Sequence, residues 1–388
     1  LQLMAQALPL AKQEPNHAEV GDFLLSLADI LLNNNGFAES WRLQYLTNLD
    51  QLPDYEPGWG SWRESPGAPV DADGKPVYHR VPKTFESAET DGQRWRWALE
   101  QAVEFHPQLA DPVTLQRAEF HWNQFGVQTM ASFGWAFGRG ATDDSKEDES
   151  GTYALHTLRE NETIARLATG IKRFELPDEW NFLKLYQQVA DKPQSGQRLQ
   201  ALEQLARIFE NRRQYPRAAE YWQRVIDVSP QEQQEHYRQQ LQQIVGNWGR
   251  FEPVQSGPVG EKAEVEYRFR NGKSVAFTAH EIKVERLLED VKAYIKSRPQ
   301  QLDWDQLNLE NVGYRIVEQN QQKYLGEQVA AWKLDLEPRE KHFDKRVTVK
   351  TQIERAGAYL LTAKMADGNT SRIILWLNDT AIANKPLD

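Results

Sequence analysis

The sequence predicts a multi-domain chain, in which an all-α region of helical-hairpin repeats precedes an immunoglobulin-like β-sandwich with one inserted helix. Three observations lead there. The 388 residues exceed the usual size of a single domain. Before about residue 250, Leu, Ala, Gln, Glu and Arg recur at helical spacing, and beyond it alternation and an Asn-Gly turn take over. The apolar fraction of 40% is enough for real cores.

The expected domains are a helical hairpin over 1–52, a helical region with long wrapping loops over 53–177, a repeat with its capping helix over 178–248, and the sandwich over 249–388. In the first, DFLLSLADILLNNNGFAESWRLQYLTNL (22–49) reads as two helices. Leu24, Leu27, Ala28 and Leu31 make a good first face, whereas Ser40, Gln44 and Thr47 make a poor second one. DGQRWRWALEQAVEFHP (91–107) and PVTLQRAEFHWNQFG (112–126) read as a further helix pair. The stretches 53–83 and 132–157 are rich in Pro, Gly or acidic residues and read as loops.

The clearest unit is ALEQLARIFENRRQYPRAAEYWQRVIDVSP, 201–230. Leu202, Leu205, Ala206 and Phe209 share one helical face, and Ala218, Trp222 and Val225 form the stripe opposite. Small residues between large ones let two helices approach closely, which is the tetratricopeptide pattern. A helix over 179–191 precedes it, and the polar QEQQEHYRQQLQQIV (231–245) follows as a cap with a wet outer face. Helical hairpins of this kind expose a concave surface that docks peptides, so Phe209, Arg212, Tyr215, Tyr221 and Trp222 are candidate groove residues.

Beyond 250, Val265, Tyr267 and Phe269 alternate, Asn271-Gly272 supplies a type I′ turn, and Val275, Phe277 and Ala279 alternate again, which predicts a β-hairpin. VERLLEDVKAYIKSRP (284–299) is an amphipathic helix with Leu287, Leu288, Val291 and Ile295 inward. Strands are expected at VGYRIVEQ, VAAWKLDLEP, KRVTVKTQI, GAYLLTAKM and SRIILWLND, completing the sandwich.

Composition narrows the function. A net charge of −10 argues against a nucleic-acid binder, which would present a basic patch. Cysteine is absent, so there is no disulfide, thiolate-bound zinc or Cys nucleophile. No stretch approaches the ~20 apolar residues of a membrane-spanning helix. The opening LQLMAQALPLAKQEP lacks an initiator Met and a signal-type apolar run, so the chain reads as part of something longer.

The eight His form no HExxH pair, DDSKEDE (143–149) lacks EF-hand spacing, and GWAFGRG lacks the Lys-Ser/Thr of a phosphate loop. No catalytic, cofactor-binding or metal-ligating residue is expected. Of the 13 Trp, those at 41, 95, 97, 122 and 222 read as packing aromatics. Trp59 and Trp62, in the loop EPGWGSWRESPG, are candidate sugar-stacking residues of a less favoured glycan-binding reading. The residues themselves therefore predict a non-enzymatic interaction protein.

Several stretches carry a resemblance: GQRWRWALEQAVE, FGVQTMASFGWAFGRG, GTYALHTLRENETIARLATGIKRFELPDEWNF, NWGRFEPV and GAYLLTAKMADGNTSRIILWLNDT. Together they resemble the N-terminal region of large bacterial, planctomycete-type alpha-2-macroglobulin-like proteins, from about residue 53 to 388. The resemblance implies a macroglobulin-type sandwich and further such domains downstream. It also implies export to the periplasm or cell surface, and partners that are proteases or envelope components. It transfers no catalytic residue. The alternative is a stand-alone tetratricopeptide scaffold that docks a partner peptide.

Gly326-Glu327-Gln328 matches the tail of the macroglobulin thioester box, but Leu325 stands where the thiol belongs. The tripeptide is expected to be a turn between two strands, with Gly326 supplying backbone freedom.

Overall fold

The computed structural model describes residues 1–32, 40–41, 43–49, 67–127, 154–253, 256–258, 263–298, 300–301, 303–307 and 312–379. Packing divides the chain into two units, Leu1–Arg238 and Gln239–Asp388. Helices and antiparallel sheets make up a mixed, multi-domain architecture.

The first unit opens with α1 (Gln2–Ala11), α2 (His17–Leu32), α3 (Asp91–Phe105) and α4 (Ala110–Phe125). Leu24, Leu27, Ala28 and Leu31 of α2 close over Trp95, Ala98, Leu99 and Ala102 of α3, all fully buried. Each large side chain buried in this way stabilises by about 1.5–3 kcal/mol. Of the second helix expected in the hairpin over 22–49, residues 43–49 are turn and coil, and α2 packs on α3.

The physical reason is the weak second face. Ser40, Gln44 and Thr47 offer no apolar stripe, and their segment dresses the start of α3. The Leu43 and Tyr45 carbonyls accept the Gly92 and Asp91 N–H groups. Thr47 donates to Asp91, and Arg94 donates to the Thr47 carbonyl. Thr90 caps α3 by accepting from the Gln93 N–H.

A hairpin that periodicity did not reveal follows: β1 (Glu162–Leu167) pairs antiparallel with β2 (Gly170–Glu175). Gly170 takes φ +111° at its turn, a conformation that a side chain would strain. Next come α5 (Phe182–Ala190), α6 (Arg198–Asn211), α7 (Tyr215–Val228) and α8 (Gln231–Val245). α4 packs on α5, α5 on α6 and α6 on α7, so consecutive helices stack in series. The residues predicted to face one another across α6 and α7 are all buried.

The second unit holds eight strands among the described residues: β3 (Trp248–Phe251), β4 (Ser256–Pro258), β5 (Glu264–Arg270), β6 (Ser274–Ile282), β7 (Leu325–Asp335), β8 (Lys345–Lys350), β9 (Gly357–Met365) and β10 (Thr370–Asn378). They form a sheet ordered β3-β5-β8 and a sheet ordered β4-β10-β9-β6-β7. Phe251 and Tyr267 of the first sheet meet Phe277 of the second at ring separations of 5.9 and 5.5 Å, within one shared core.

Between β6 and β7 lie α9 (Val284–Lys296), α10 (Trp304–Leu307) and α11 (Val312–Val317). Strand period two puts Tyr359, Leu361, Ala363 and Met365 of β9 in the core between the sheets, and Ala358 and Leu360 in a second core. That second core also holds Leu287, Val312 and Ile316 of the insert. β9 is thus buried on both faces, which is why GAYLLTAKM reads as a nearly unbroken apolar run.

Three expectations fail here. VGYRIVEQ is not a strand, because residues 312–317 are helical and bury Val312, Arg315 and Ile316 at helical spacing. Asn271-Gly272 does not close a hairpin, since β5 pairs with β3 and β8 while β6 pairs with β7 and β9. Only Asn271 has positive φ, at 59°, and the turn carries the chain from one sheet to the other. Its side-chain amide holds the corner by donating to the Ile244 and Gly246 carbonyls. Gly-Glu-Gln is not a turn either, because β7 begins at Leu325. Gly326 is required for close approach, since a Cβ there would lie 2.9 Å from the Glu281 carbonyl oxygen.

Candidate functional site

The sequence-predicted groove residues turn inward. Phe209, Arg212, Tyr221 and Trp222 are buried in the helical unit, and Tyr215 is half-buried at the start of α7. Phe209 stacks on Tyr221 at 5.2 Å, Trp222 on Tyr237 at 5.9 Å, and the Trp222 indole N–H donates to Glu210. Arg212 lies over the Phe182 ring and donates to the Glu162 and Arg159 carbonyls. Burial lowers the Arg212 pKa to about 10. These side chains hold the helices and the β1–β2 hairpin together and form no open groove. Trp59, Trp62, GWAFGRG and the acidic run 143–149 lie outside the described residues.

The helical unit also contains an unpredicted buried cluster. Arg96 is buried, with its guanidinium 2.5 Å from Glu179 and 3.7 Å from Glu100. Arg117 reaches the same two carboxylates at 3.8 and 3.7 Å. Beneath them, the His79 ring lies against Gly92 and His121 stacks on Phe125. Neither His121 ring nitrogen has a hydrogen-bond partner. Burial, and then the Arg96 charge, pull the His79 pKa down to about 4. The same two causes, with Arg117 and His79 adding to them, hold His121 well below its ordinary value. Both imidazoles are therefore neutral at pH 7. The cluster is closely packed and its carboxylates are already paired.

The open features lie in the second unit, on either side of α11. On one side is a polar cavity of about 710 Å³ lined by Asp290, Tyr294, Asp303, Arg315, Gln319, Gln321, Lys323 and Tyr324. The Tyr324 hydroxyl donates to Asp290 at 2.9 Å and accepts from Arg315 at 2.7 Å. Lys323 pairs with Asp290 at 2.5 Å, and both cations lie within 4.8 Å of the Tyr324 ring centre. Hydrogen bonds from Lys323 and Tyr324 hold the Asp290 carboxyl below its ordinary pKa, and the bond to Asp290 raises that of Lys323. Arg315 Nε donates to Gln321 Oε1, whose amide in turn donates to Gln319.

On the other side of α11 is an open groove of about 370 Å³, lined by Tyr314, Val317, Leu360 and Ile374 with Glu318 and Arg372. Around these recesses the insert leaves large side chains in solvent: Trp304 is 71% exposed, Tyr314 56% and Ile295 54%. Ile295 was expected inward with Leu287. In α9, however, only Leu287 is buried, while Leu288 and Val291 are half-covered. No cluster of three or more potential metal ligands occurs among the described residues. None of the described helices is long and apolar enough to cross a membrane.

No protein-family model and no curated protein matches the chain. Among solved structures, weak neighbours are two of the Escherichia coli alpha-2-macroglobulin, spanning MG0-NIE-MG1 (13% identity, TM-score 0.24, 36% of this chain and 42% of that one) and NIE-MG1 (14% identity, TM-score 0.19, 34% and 61%). A third is the Pseudomonas fluorescens alkylpurine DNA glycosylase AlkC bound to abasic-site DNA, at 9% identity and TM-score 0.16 over 72% of this chain and 82% of that one. This chain spans less than half the length of the first neighbour. At these scores none of the three bears on what the chain does.

Proposed function

We propose that this chain is a non-enzymatic, protein-binding scaffold region of macroglobulin-like type, acting at the periplasm or cell surface. The family-like stretches support the type, and the strand order of the two facing sheets fits an immunoglobulin-like Greek key.

One observation carries the binding role. β7 runs for 11 residues and has only β6 as a ladder partner, so its other edge meets no strand among the described residues. Natural edge strands are usually short or guarded by Lys, Pro or bulges. LGEQVAAWKLD has no Pro and a single Lys; its pairing with β6 slips at Val329, which is 48% exposed, and again before Gln328, so the regular part of the edge is 330–335. Such an edge accepts an extended segment of a partner protein by strand addition. The tetratricopeptide alternative has less support, because Phe209, Arg212, Tyr221 and Trp222, which would contact a peptide, are buried.

A photo-crosslinking residue at Ala331 is expected to trap one defined protein through an extended segment, with little trapping from Lys172 on the hairpin. The Val329→Lys/Ala331→Lys double variant is expected to fold normally and to lose that partner. Equal trapping at both positions, or a partner that survives the double variant, would overturn the proposal.

A further inference from the structure

We infer that the polar cavity between α9 and α11 is a binding site for a neutral oligosaccharide, separate from the β7 edge. The formal charges of the lining cancel, with Asp290 and Asp303 balanced by Arg315 and Lys323. Asp290 and Lys323 already neutralise one another at 2.5 Å. The cavity therefore has no net pull on an anion or a cation. It instead places carboxylates, two amides, a guanidinium and an ammonium side by side, while the Tyr294 and Tyr324 hydroxyls are engaged within the wall. A sugar hydroxyl both donates and accepts, so a ligand carrying several of them matches such a mixed wall, whereas an ion satisfies only half of it.

The wall is also rigid, which lowers the cost of binding. Arg315 is buried and is fixed by Gln321 and by the Tyr324 hydroxyl. Tyr324 is fully buried. The Tyr294 hydroxyl accepts the Asp303 backbone N–H at 2.6 Å, tying the far wall to α9. The volume of about 710 Å³ lies inside the range of ligand pockets, roughly 300–1,000 Å³, and suits a short oligosaccharide. Trp304 follows the lining residue Asp303 and is 71% exposed, an apolar platform of the kind that stacks on the C–H face of a sugar ring.

The test titrates the whole chain with chitotetraose, cellotetraose and maltotetraose, and in parallel with sodium phosphate and with glutamate, using calorimetry and ligand-observed NMR. At least one tetrasaccharide is expected to bind, and the two ionic probes are not. Gln319→Ala and Trp304→Ala, both at exposed positions, should each weaken that binding at least tenfold without changing the unfolding midpoint. Val329→Lys/Ala331→Lys should leave it unchanged, so failure at the β7 edge and failure here are separable. No tetrasaccharide binding at millimolar concentration, binding of phosphate or glutamate alone, or unchanged affinity in both single variants would overturn the inference.

Discussion

The α6–α7 hairpin and the α9–α11 insert are both amphipathic, aromatic-bearing helical elements, yet they treat their large side chains in opposite ways. In α6–α7 the apolar stripes face each other and the neighbouring helices, so Phe209, Tyr221 and Trp222 disappear into the core. The insert packs on the outside of a sheet through Leu287, Val312 and Ile316, while Ile295, Trp304 and Tyr314 stay in solvent. An aromatic at helical spacing therefore does not show whether it stabilises or recognises. What decides is whether a second element arrives to cover it. The hairpin is built for stability, and the insert keeps a surface open.

The comparison breaks first at Trp222. Trp222→Ala would empty a fully buried site and remove one hydrogen bond to Glu210, so a loss of about 3–5 kcal/mol is expected in denaturant unfolding. A loss below about 1 kcal/mol would mean that α7 is no more committed to its core than the insert is.

Acid should separate the two units next. The unfolded chain binds a proton at His79 near pH 6.5, but the folded unit does not until about pH 4. The stability tied to that gap is complete above pH 6.5 and is lost as the pH falls towards 4. It amounts to about 3 kcal/mol for His79. His121 acts in the same direction, being buried and facing Arg96, Arg117 and His79. Amide exchange measured at pH 7 and pH 5 should show α3 and α4 losing protection while β9 keeps its own. His121→Phe, which preserves the stacking on Phe125, should reduce the acid effect. Uniform loss across both units would contradict this assignment.

How far this contrast was legible in the sequence differs from element to element. The helices at 91–105, 110–125 and 198–245 were legible because one face of each is continuously apolar or continuously wet. The strand faces of β5 and β6 were legible from alternation alone, but their partners were not. Asn271-Gly272 fixes a local backbone bend and says nothing about whether the chain returns to the same sheet or crosses to the other.

Residues 312–317 fit both periods, since Val312, Tyr314 and Ile316 alternate while Val312 and Ile316 also lie four apart. Burial of Arg315 beside Ile316 shows which period won. The β1–β2 hairpin had only Gly170 as a turn signal, because its strands bury or expose consecutive residues and do not alternate. The polar cavity had none, because its lining is gathered from positions between 290 and 324 that share no spacing.

The smallest expected effect gives the finest test of the comparison. Tyr314 makes up one wall of the groove beside α11, yet more than half of it is in solvent. Truncation to Ala removes little buried area, and its backbone carbonyl still accepts from Glu318. Tyr314→Ala is therefore expected to change stability by no more than about 0.5 kcal/mol in the titration that reads Trp222→Ala. A cost above about 2 kcal/mol would show that the aromatic is part of the second core with Val312 and Ile316. The insert would then be a buried element like α7, and its exposed face would no longer be the feature that distinguishes it.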